Sequence, residues 1–164
     1  MRRRAEQAAL LTAEAAREQC LRLLERRSRS SVELRRRLEA RGFEVAAIEP
    51  VLADLARAGL VDDAEYARLW VTDRQASGLS GPHKWRWELR RKGIPEDLIR
   101  QVLDETHNDE SEREQALDLA RRRLREQPPD AKALLRLRRF LLGRGFGLEA
   151  VDAVMRRVSA HVEG

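Results

Sequence analysis

The feature that most constrains this sequence of 164 residues is an internal repeat, present in three copies that align without gaps. Each copy is centred on an Arg-Gly or Lys-Gly pair, and the three glycines, Gly42, Gly93 and Gly145, lie 51 and 52 residues apart. A period of this length is typical of repeat proteins, in which neighbouring units share buried surface. We therefore predict three similar units in tandem.

The repeat has the pattern of two helices joined by a glycine turn. Apolar residues stand eight and four positions before each glycine, on one face of a helix. The glycine suits the left-handed conformation that ends a helix, and apolar residues six, nine and ten positions later predict a second amphipathic helix. The apolar set comprises Leu34, Trp85 and Leu137; Leu38, Leu89 and Leu141; Ile48, Ile99 and Val151; Val51, Val102 and Val154; and Leu52, Leu103 and Met155.

A third helix is predicted before each pair, near residues 5–27, 63–76 and 110–126. The helix starts are indicated by Asp130 as an N-cap and by three pairs with capping-box spacing, and Gly59 and Gly78 are stop signals. The three pairs are Ser30 with Glu33, Asp62 with Glu65, and Asp109 with Glu112.

The predicted fold class is all-α: about nine helices in three tandem three-helix repeats, forming an elongated, curved array. Aromatic residues make up only 4% of the chain, and helix-forming Leu, Ala, Arg and Glu dominate, which disfavours strands. We predict an N-terminal extension over residues 1–14 that continues into the first helix. The repeats are placed at residues 15–61, 62–108 and 109–164.

The charge and the cysteine content of the chain indicate what kind of partner and which cellular compartment to expect. The formal net charge of +5 comes from 33 basic and 28 acidic residues, and it favours an anionic partner, although it could serve solubility alone. Residues 1–61, 62–109 and 110–164 carry net charges of +4, −2 and +3. A single cysteine, Cys20, excludes an internal disulfide, and no apolar stretch is long enough for a membrane span. A cytoplasmic location is predicted.

The sequence predicts neither catalysis nor a cofactor. The three histidines, His83, His107 and His161, have no partner at a recognised metal-ligand spacing, so exposed or helix-end positions are expected for them. Cys20 lies among leucines, which indicates a buried small side chain. Since no phosphate-binding glycine loop and no nucleophile–base arrangement is present, we predict that the protein is not an enzyme and holds no metal.

Basic clusters are the candidate binding residues. The middle helix of each repeat carries one such cluster. Within it, an arginine recurs seven residues before the glycine, at Arg35, Arg86 and Arg138. They would form a stripe for phosphate or for an acidic protein surface, or serve only as the polar faces of helices. Trp85 occupies an apolar repeat position and is predicted to be buried. Trp87 is predicted to be more exposed and is a candidate contact.

The order of short motifs in the chain resembles the RecX family, bacterial regulatory proteins that act on the RecA recombinase. The resemblance covers residues 15–158, and its most specific parts are an Asp-x-x-Tyr-Ala segment that starts at Asp63 and the Lys-Gly-Ile segment at 92–94. The chain departs from the family pattern at Trp85, where an aliphatic residue is expected. The other matching positions are Ser31, Leu34, Leu38, Gly42, Phe43, Gly59, Asp62, Arg74, Gly78 and Leu89.

This resemblance implies a non-enzymatic helical regulator, mainly an inhibitor. It implies binding in the groove of the RecA–DNA filament, where the protein limits filament extension, ATP hydrolysis, strand exchange and co-protease activity. The family also suggests a monomer, and single- or double-stranded DNA is a further candidate partner. Our hypothesis places these residues near the contact surface: Arg35, Arg36, Arg37, Arg41, Lys84, Arg86, Trp87, Arg90, Arg91, Lys92, Arg136, Arg138 and Arg139.

Two other functions stay open at this point. A general basic DNA-binding protein would bind duplex without a recombinase and would lose affinity steeply with salt. A helical scaffold for an unrelated acidic protein would be indifferent to DNA.

Overall fold

The computed structural model describes residues 12–124 and 130–160, and within these ranges the chain forms nine helices and no strand. The all-helical prediction, with three helices to each repeat, is thereby confirmed. The predicted helical residues before position 12, residues 125–126 and His161 lie outside the described residues. In chain order the helices are α1 (Ala13–Arg26), α2 (Ser31–Glu39), α3 (Val45–Arg57), α4 (Asp63–Ser77), α5 (Pro82–Arg91), α6 (Glu96–Thr106), α7 (Asp109–Leu124), α8 (Ala131–Gly143) and α9 (Leu148–Ala160).

Three of the four predicted helix starts are confirmed. Ser30 forms a complete capping box with Glu33 at the start of α2. The Asp62 carboxylate accepts the backbone N–H groups of residues 64 and 65, and Asp130 caps α8 by accepting the N–H of Ala133 at 2.6 Å. Each cap satisfies N–H groups that have no partner inside the helix.

The prediction that Asp109 caps the seventh helix is wrong. Helix α7 already includes Asp109, and the cap is Asn108, whose Oδ1 accepts the N–H of Ser111 at 2.7 Å. The spacing between Asp109 and Glu112 resembles a capping box, but the Glu112 carboxylate is used in a different contact, with Gly147. The cap therefore falls one residue earlier, on another residue type that favours this position.

The apolar positions of the repeat form the cores. Helices α1, α2 and α3 contact one another around a cluster that includes Cys20, Leu34, Leu38 and Ile48. Helices α7, α8 and α9 do the same around Leu137, Leu141, Phe146 and Val151. In the second repeat α5 contacts α6, and Trp85, Leu89 and Ile99 are buried, so the prediction for Trp85 is confirmed. Its indole N–H donates to Ser80 Oγ at 3.0 Å, which satisfies the polar atom of this core residue.

The described residues fall into two compact units. The first runs through Tyr66 and also includes the turn Lys92–Pro95, and the second comprises Ala67–Arg91 and the residues from Glu96 onward. In each unit, therefore, the glycine turn of one repeat docks on a helix of the preceding repeat.

In the first unit the Lys92–Pro95 turn docks on the start of helix α2. The hydroxyl of Ser30 donates to the carbonyl of Lys92 at 2.6 Å. Gly93 has a φ of 78°, and a Cβ built on it would lie 2.4 Å from the side chain of Val32. Gly93 is thus required both by its left-handed conformation and by the close approach of α2.

The same docking recurs in the second unit, where the Arg144–Gly145 turn lies on the start of helix α5. The N–H of Gly81 donates to the carbonyl of Arg144, and the N–H of His83 donates to that of Gly145, both at 3.0 Å. Gly145 has a φ of 85°, and a Cβ on it would lie 2.4 Å from the backbone nitrogen of Lys84. The repeated glycine therefore joins neighbouring repeats as well as ending a helix.

Candidate partner-binding surface

An exposed position recurs on the middle helix of each repeat, six residues before the glycine. It holds Arg36 on α2, Trp87 on α5 and Arg139 on α8, and all three are exposed. Trp87 is 53% exposed, as predicted, and the guanidinium of Arg91 lies 4.7 Å from the centre of its ring. Trp and Arg are among the residue types enriched where binding energy concentrates in protein interfaces.

The recurring arginine seven residues before each glycine has a partner inside its own repeat. Arg35 pairs with Glu49 at 2.8 Å and Arg138 with Asp152 at 2.6 Å, two acids at equivalent repeat positions. In the second repeat that position is Arg100, and Arg86 pairs with Glu96 at 3.6 Å instead. These arginines link the middle helix to the helix that follows, which accounts for their recurrence without a binding role.

Arg90 is also engaged with Glu96, which it contacts at 2.6 Å on the surface of the second repeat. The hydrogen bond from Arg90 lowers the pKa of the Glu96 carboxyl, and its charge acts in the same direction. Both groups are exposed, so the pair contributes little to the free energy of unfolding.

The basic residues that directly precede Gly42 and Gly93 have different roles. Arg41 is exposed and donates to the side chain of Gln19. The Lys92 side chain is only 18% exposed, and its Nζ contacts Glu33 Oε1 at 3.1 Å and lies 5.8 Å from the Tyr66 ring centre. Lys92 is therefore part of the docked turn of the first unit, and the same repeat position serves two purposes.

The Glu33 carboxylate is held charged at this turn. Burial by itself would raise its pKa, but the hydrogen bond and charge of Lys92, the N–H of Ser30 and the charge of Arg27 together lower the pKa below its ordinary value. The carboxylate thus joins the capping box of α2 to the docked turn.

Glu112 has the corresponding role in the second unit, where it is only 8% exposed. Its Oε1 accepts the N–H of Gly147 at 2.6 Å, and its Oε2 lies 3.2 Å from His107 Nε2. Burial would raise the pKa of Glu112, but the hydrogen bond and charge of His107, the Gly147 N–H and the charge of His83 outweigh burial and lower the pKa. His107, directly after the end of α6, is thus half-buried and lies against this carboxylate, a contact that its sequence environment did not indicate.

One group of metal-ligand residue types lies close together within the described ranges. The ligand atoms of His107, Asp109 and Glu112 are all within 4.8 Å of one another. Both oxygens of Glu112 already have partners in the chain, and Asp109 is exposed. The contacts of Glu112 with Gly147 and His107 account for this arrangement as part of the packing between α7 and the turn before α9.

The lowered pKa values of Glu33 and Glu112 predict that the protein loses stability in acid. Since their folded-state pKa values are below the ordinary value of 4.5, the stabilisation that they provide is present above pH 4.5 and is lost as the pH falls through the folded-state values. Urea unfolding followed by circular dichroism should show the free energy of unfolding declining below about pH 4.5. The decline should be smaller in a Glu33→Gln, Glu112→Gln variant, and an equal decline in both proteins would contradict the assignment.

The remaining candidate residues divide between the surface and a turn. Arg37 and Arg136 are exposed and have no ion pair among the described residues. Lys84 is half-buried, because its backbone lies against Gly145. The exposed members of the predicted set are therefore Arg36, Arg37, Arg41, Trp87, Arg90, Arg91, Arg136 and Arg139.

Sequence reasoning missed several residues that the fold places in special environments. Arg29 is buried and donates to the carbonyl of Leu23 at 3.3 Å. Phe140 on α8 is contacted by the guanidinium groups of Arg123 and Arg144, at 4.6 and 5.1 Å from its ring centre. An Arg run at the end of α7 was visible in the sequence, but its partner on α8 was not.

None of the helices within residues 12–124 and 130–160 combines the length and the apolar character that crossing a bilayer requires.

Comparison with known proteins identifies the family. Models of the first, second and third three-helix domains of RecX match residues 16–55, 62–103 and 110–155. The chain is 41% identical over 134 residues to regulatory protein RecX of Amycolatopsis mediterranei (strain U-32), covering 80% of this chain and 75% of that protein. It is 36% identical over 154 residues to regulatory protein RecX of Mycobacterium avium (strain 104), covering 92% and 88%.

Solved structures have the same fold. The crystal structure of RecX from Lactobacillus salivarius superposes with a TM-score of 0.82 at 19% identity, over 90% of this chain and 97% of that one. A crystal structure of regulatory protein RecX gives a TM-score of 0.79 at 27% identity, over 88% and 73%. Matches to all three domain models, together with relatives of more than 30% identity over most of both chains, show that this chain belongs to the RecX family of regulatory proteins.

Proposed function

We propose that this protein is a non-enzymatic regulator, mainly an inhibitor, of the RecA recombinase. The observation that carries the proposal is the match to all three RecX domain models along one chain. We place the protein in the groove of the RecA–DNA filament, where it limits filament extension and ATP hydrolysis, and thereby strand exchange and co-protease activity. Cytoplasmic location and a monomeric state belong to the same proposal.

The recurring exposed position supports a partner that is itself repetitive. The three helical repeats present Arg36, Trp87 and Arg139 at equivalent positions. Each repeat therefore offers a comparable contact to one of the successive subunits of a filament. Modest contacts of this kind add up, because each bound unit raises the effective concentration of the next. A protein that binds one filament state better than another shifts the population toward the state that it binds.

The first test is ATP hydrolysis by the RecA protein of the same organism on single-stranded DNA, titrated with this protein. We expect inhibition at well below one molecule per RecA monomer, because one molecule spanning or ending a filament affects many subunits. A Trp87→Ala, Arg139→Glu variant should shift the midpoint of inhibition to about tenfold higher concentration, since an exposed Trp and an unpaired Arg are typical of binding hot spots.

The matched control for this test is Arg17→Glu, an exposed arginine on α1 outside the proposed surface. It should leave the midpoint unchanged, and all variants should keep the wild-type melting temperature. Full ATPase activity at saturating wild-type protein would reject the regulator proposal. Tight binding to bare duplex DNA that weakens steeply with salt would then favour the alternative function of a general DNA-binding protein.

A further inference from the structure

The surplus positive charge of this chain is concentrated in one short part of the third repeat. Between Arg121 and Arg144 the sequence carries nine basic residues and only two acidic ones, Glu126 and Asp130. The rest of the chain carries 24 basic and 26 acidic residues, so it is slightly acidic. The net charge of +5 therefore reflects one segment rather than all three repeats.

Within this segment most of the cations have no acidic partner. Arg121 pairs with Asp118 and Arg138 with Asp152, at 3.5 and 2.6 Å. Six other cations have no ion pair among the described residues: Arg122, Arg123, Lys132, Arg136, Arg139 and Arg144. The corresponding helices of the other two repeats pair more of their cations, as Arg35, Arg86, Arg90 and Lys92 show.

Helix α8 presents these cations in an ordered stripe. Positions three, four, seven and ten residues after Lys132 lie on the same side of a helix. We call this side the α8 stripe, and all of its members are exposed: Lys132, Leu135, Arg136, Arg139 and Leu142. Leu135 is 60% exposed and Leu142 36%, so two large aliphatic side chains lie among three cations.

The mixture of charge and apolar surface distinguishes between anionic partners. Phosphate groups of a nucleic acid would bind the cations, but the aliphatic side chains offer nothing to a phosphate backbone. The Phe140 ring beside the stripe is already contacted by Arg123 and Arg144, so it is poorly placed to stack on a base. A polypeptide that carries both carboxylates and apolar side chains complements both components of the stripe.

We propose that the α8 stripe is a docking site for an acidic polypeptide segment with interspersed apolar side chains. The carboxylates of that segment bind Lys132, Arg136 and Arg139, and its apolar side chains cover Leu135 and Leu142. This inference rests on the proposed function only in taking the chain to be a partner-binding protein, and it names the chemistry of the partner at this surface.

The test uses the full chain without any recombinase, so its failure is separate from failure of the ATPase experiment. Fluorescence anisotropy would measure binding of three labelled probes of equal negative charge. They are a peptide that alternates glutamate with leucine or phenylalanine, the same peptide with serine at the apolar positions, and an oligothymidylate. We expect the first probe to bind most tightly.

Variants assign the binding to the stripe. Arg136→Glu, Arg139→Glu should weaken binding of the first probe by at least about tenfold, and Leu135→Ser should weaken it severalfold. Two controls on other helices should bind like wild type: Arg17→Glu, an exposed arginine on α1 without an ion pair among the described residues, and Leu69→Ser, whose leucine is 49% exposed. Circular dichroism melts should show that all four proteins are folded.

Three outcomes would overturn the proposal. Equal affinity for the serine and apolar peptides would show that the leucines play no part. Tighter binding of oligothymidylate, lost in the same arginine variant, would identify a nucleic-acid site. Self-association that buries the stripe, seen by sedimentation and abolished by Leu135→Ser, would assign this face to a second copy of the chain.

Discussion

A Gly145→Ala variant is expected to lose about 3 kcal/mol of the free energy of unfolding. Two costs add at this position. Alanine in the left-handed region, at a φ of 85°, is unfavourable by itself, and its Cβ would lie 2.4 Å from the backbone nitrogen of Lys84. Because the clash is with backbone, it is relieved only if the turn moves away from α5. Urea unfolding monitored by circular dichroism measures the loss.

The control lies two residues earlier in the chain. Gly143 is the last residue of α8, and a Cβ built on it meets nothing within 4 Å. Gly143→Ala should therefore be neutral or stabilising by up to about 1 kcal/mol. A similar loss in both variants would contradict the docking of the Arg144–Gly145 turn on α5.

The equivalent turn in the first unit offers a rescue experiment. A Cβ on Gly93 would clash with the side chain of Val32 rather than with backbone. Gly93→Ala should thus be partly rescued by Val32→Gly, which removes the clashing Cβ and both Cγ atoms, whereas no side-chain truncation should rescue Gly145→Ala.

A Glu112→Ala variant is expected to cost a similar amount, about 3 kcal/mol. The substitution leaves the Gly147 N–H without its acceptor and removes the carboxylate that faces His107. An unsatisfied polar group in a poorly hydrated environment is more costly than the net value of the hydrogen bond that it lost. Thermal and urea unfolding at neutral pH measure the change.

Glu114→Ala is the matched control, because Glu114 lies on the same helix and is exposed. It should change the free energy of unfolding by less than about 0.5 kcal/mol. If Glu112→Ala were equally mild, the carboxylate would not hold α7 to the turn that precedes α9.

The Gly145→Ala variant tests one architectural principle, that repeats are joined through their glycine turns. The Glu112→Ala variant tests a carboxylate contact within the third repeat, two residues after such a turn. In each unit the turn of one repeat docks on the first residues of the middle helix of the repeat before it. A carboxylate lies beside each docked turn, the half-buried Glu33 in one unit and the buried Glu112 in the other. The exposed side chains of Trp87 and Arg139, which we propose face the partner, are on helices positioned by these contacts, so damage at a turn should also weaken partner binding.

The sequence alone determined the fold class, because its information is local and periodic. Apolar residues at helical spacing around Gly42, Gly93 and Gly145 specify which face each helix buries, and repetition made the pattern unmistakable. The burial of Trp85 and exposure of Trp87 follow from that register. The motifs around Asp63 and Lys92 likewise led to the RecX family, to which the chain belongs.

Only the tertiary structure decided which cations are available to a partner. Arg35, Arg86 and Arg138 have acidic partners on the following helix, and Lys92 lies against Glu33, 59 residues away in sequence. The distance between such groups depends on how helices and turns pack, and periodicity within one helix carries no information about it. In the same way, the Glu112 carboxylate accepts the N–H of Gly147 on a distant turn instead of closing a capping box with Asp109, and Asn108 caps α7.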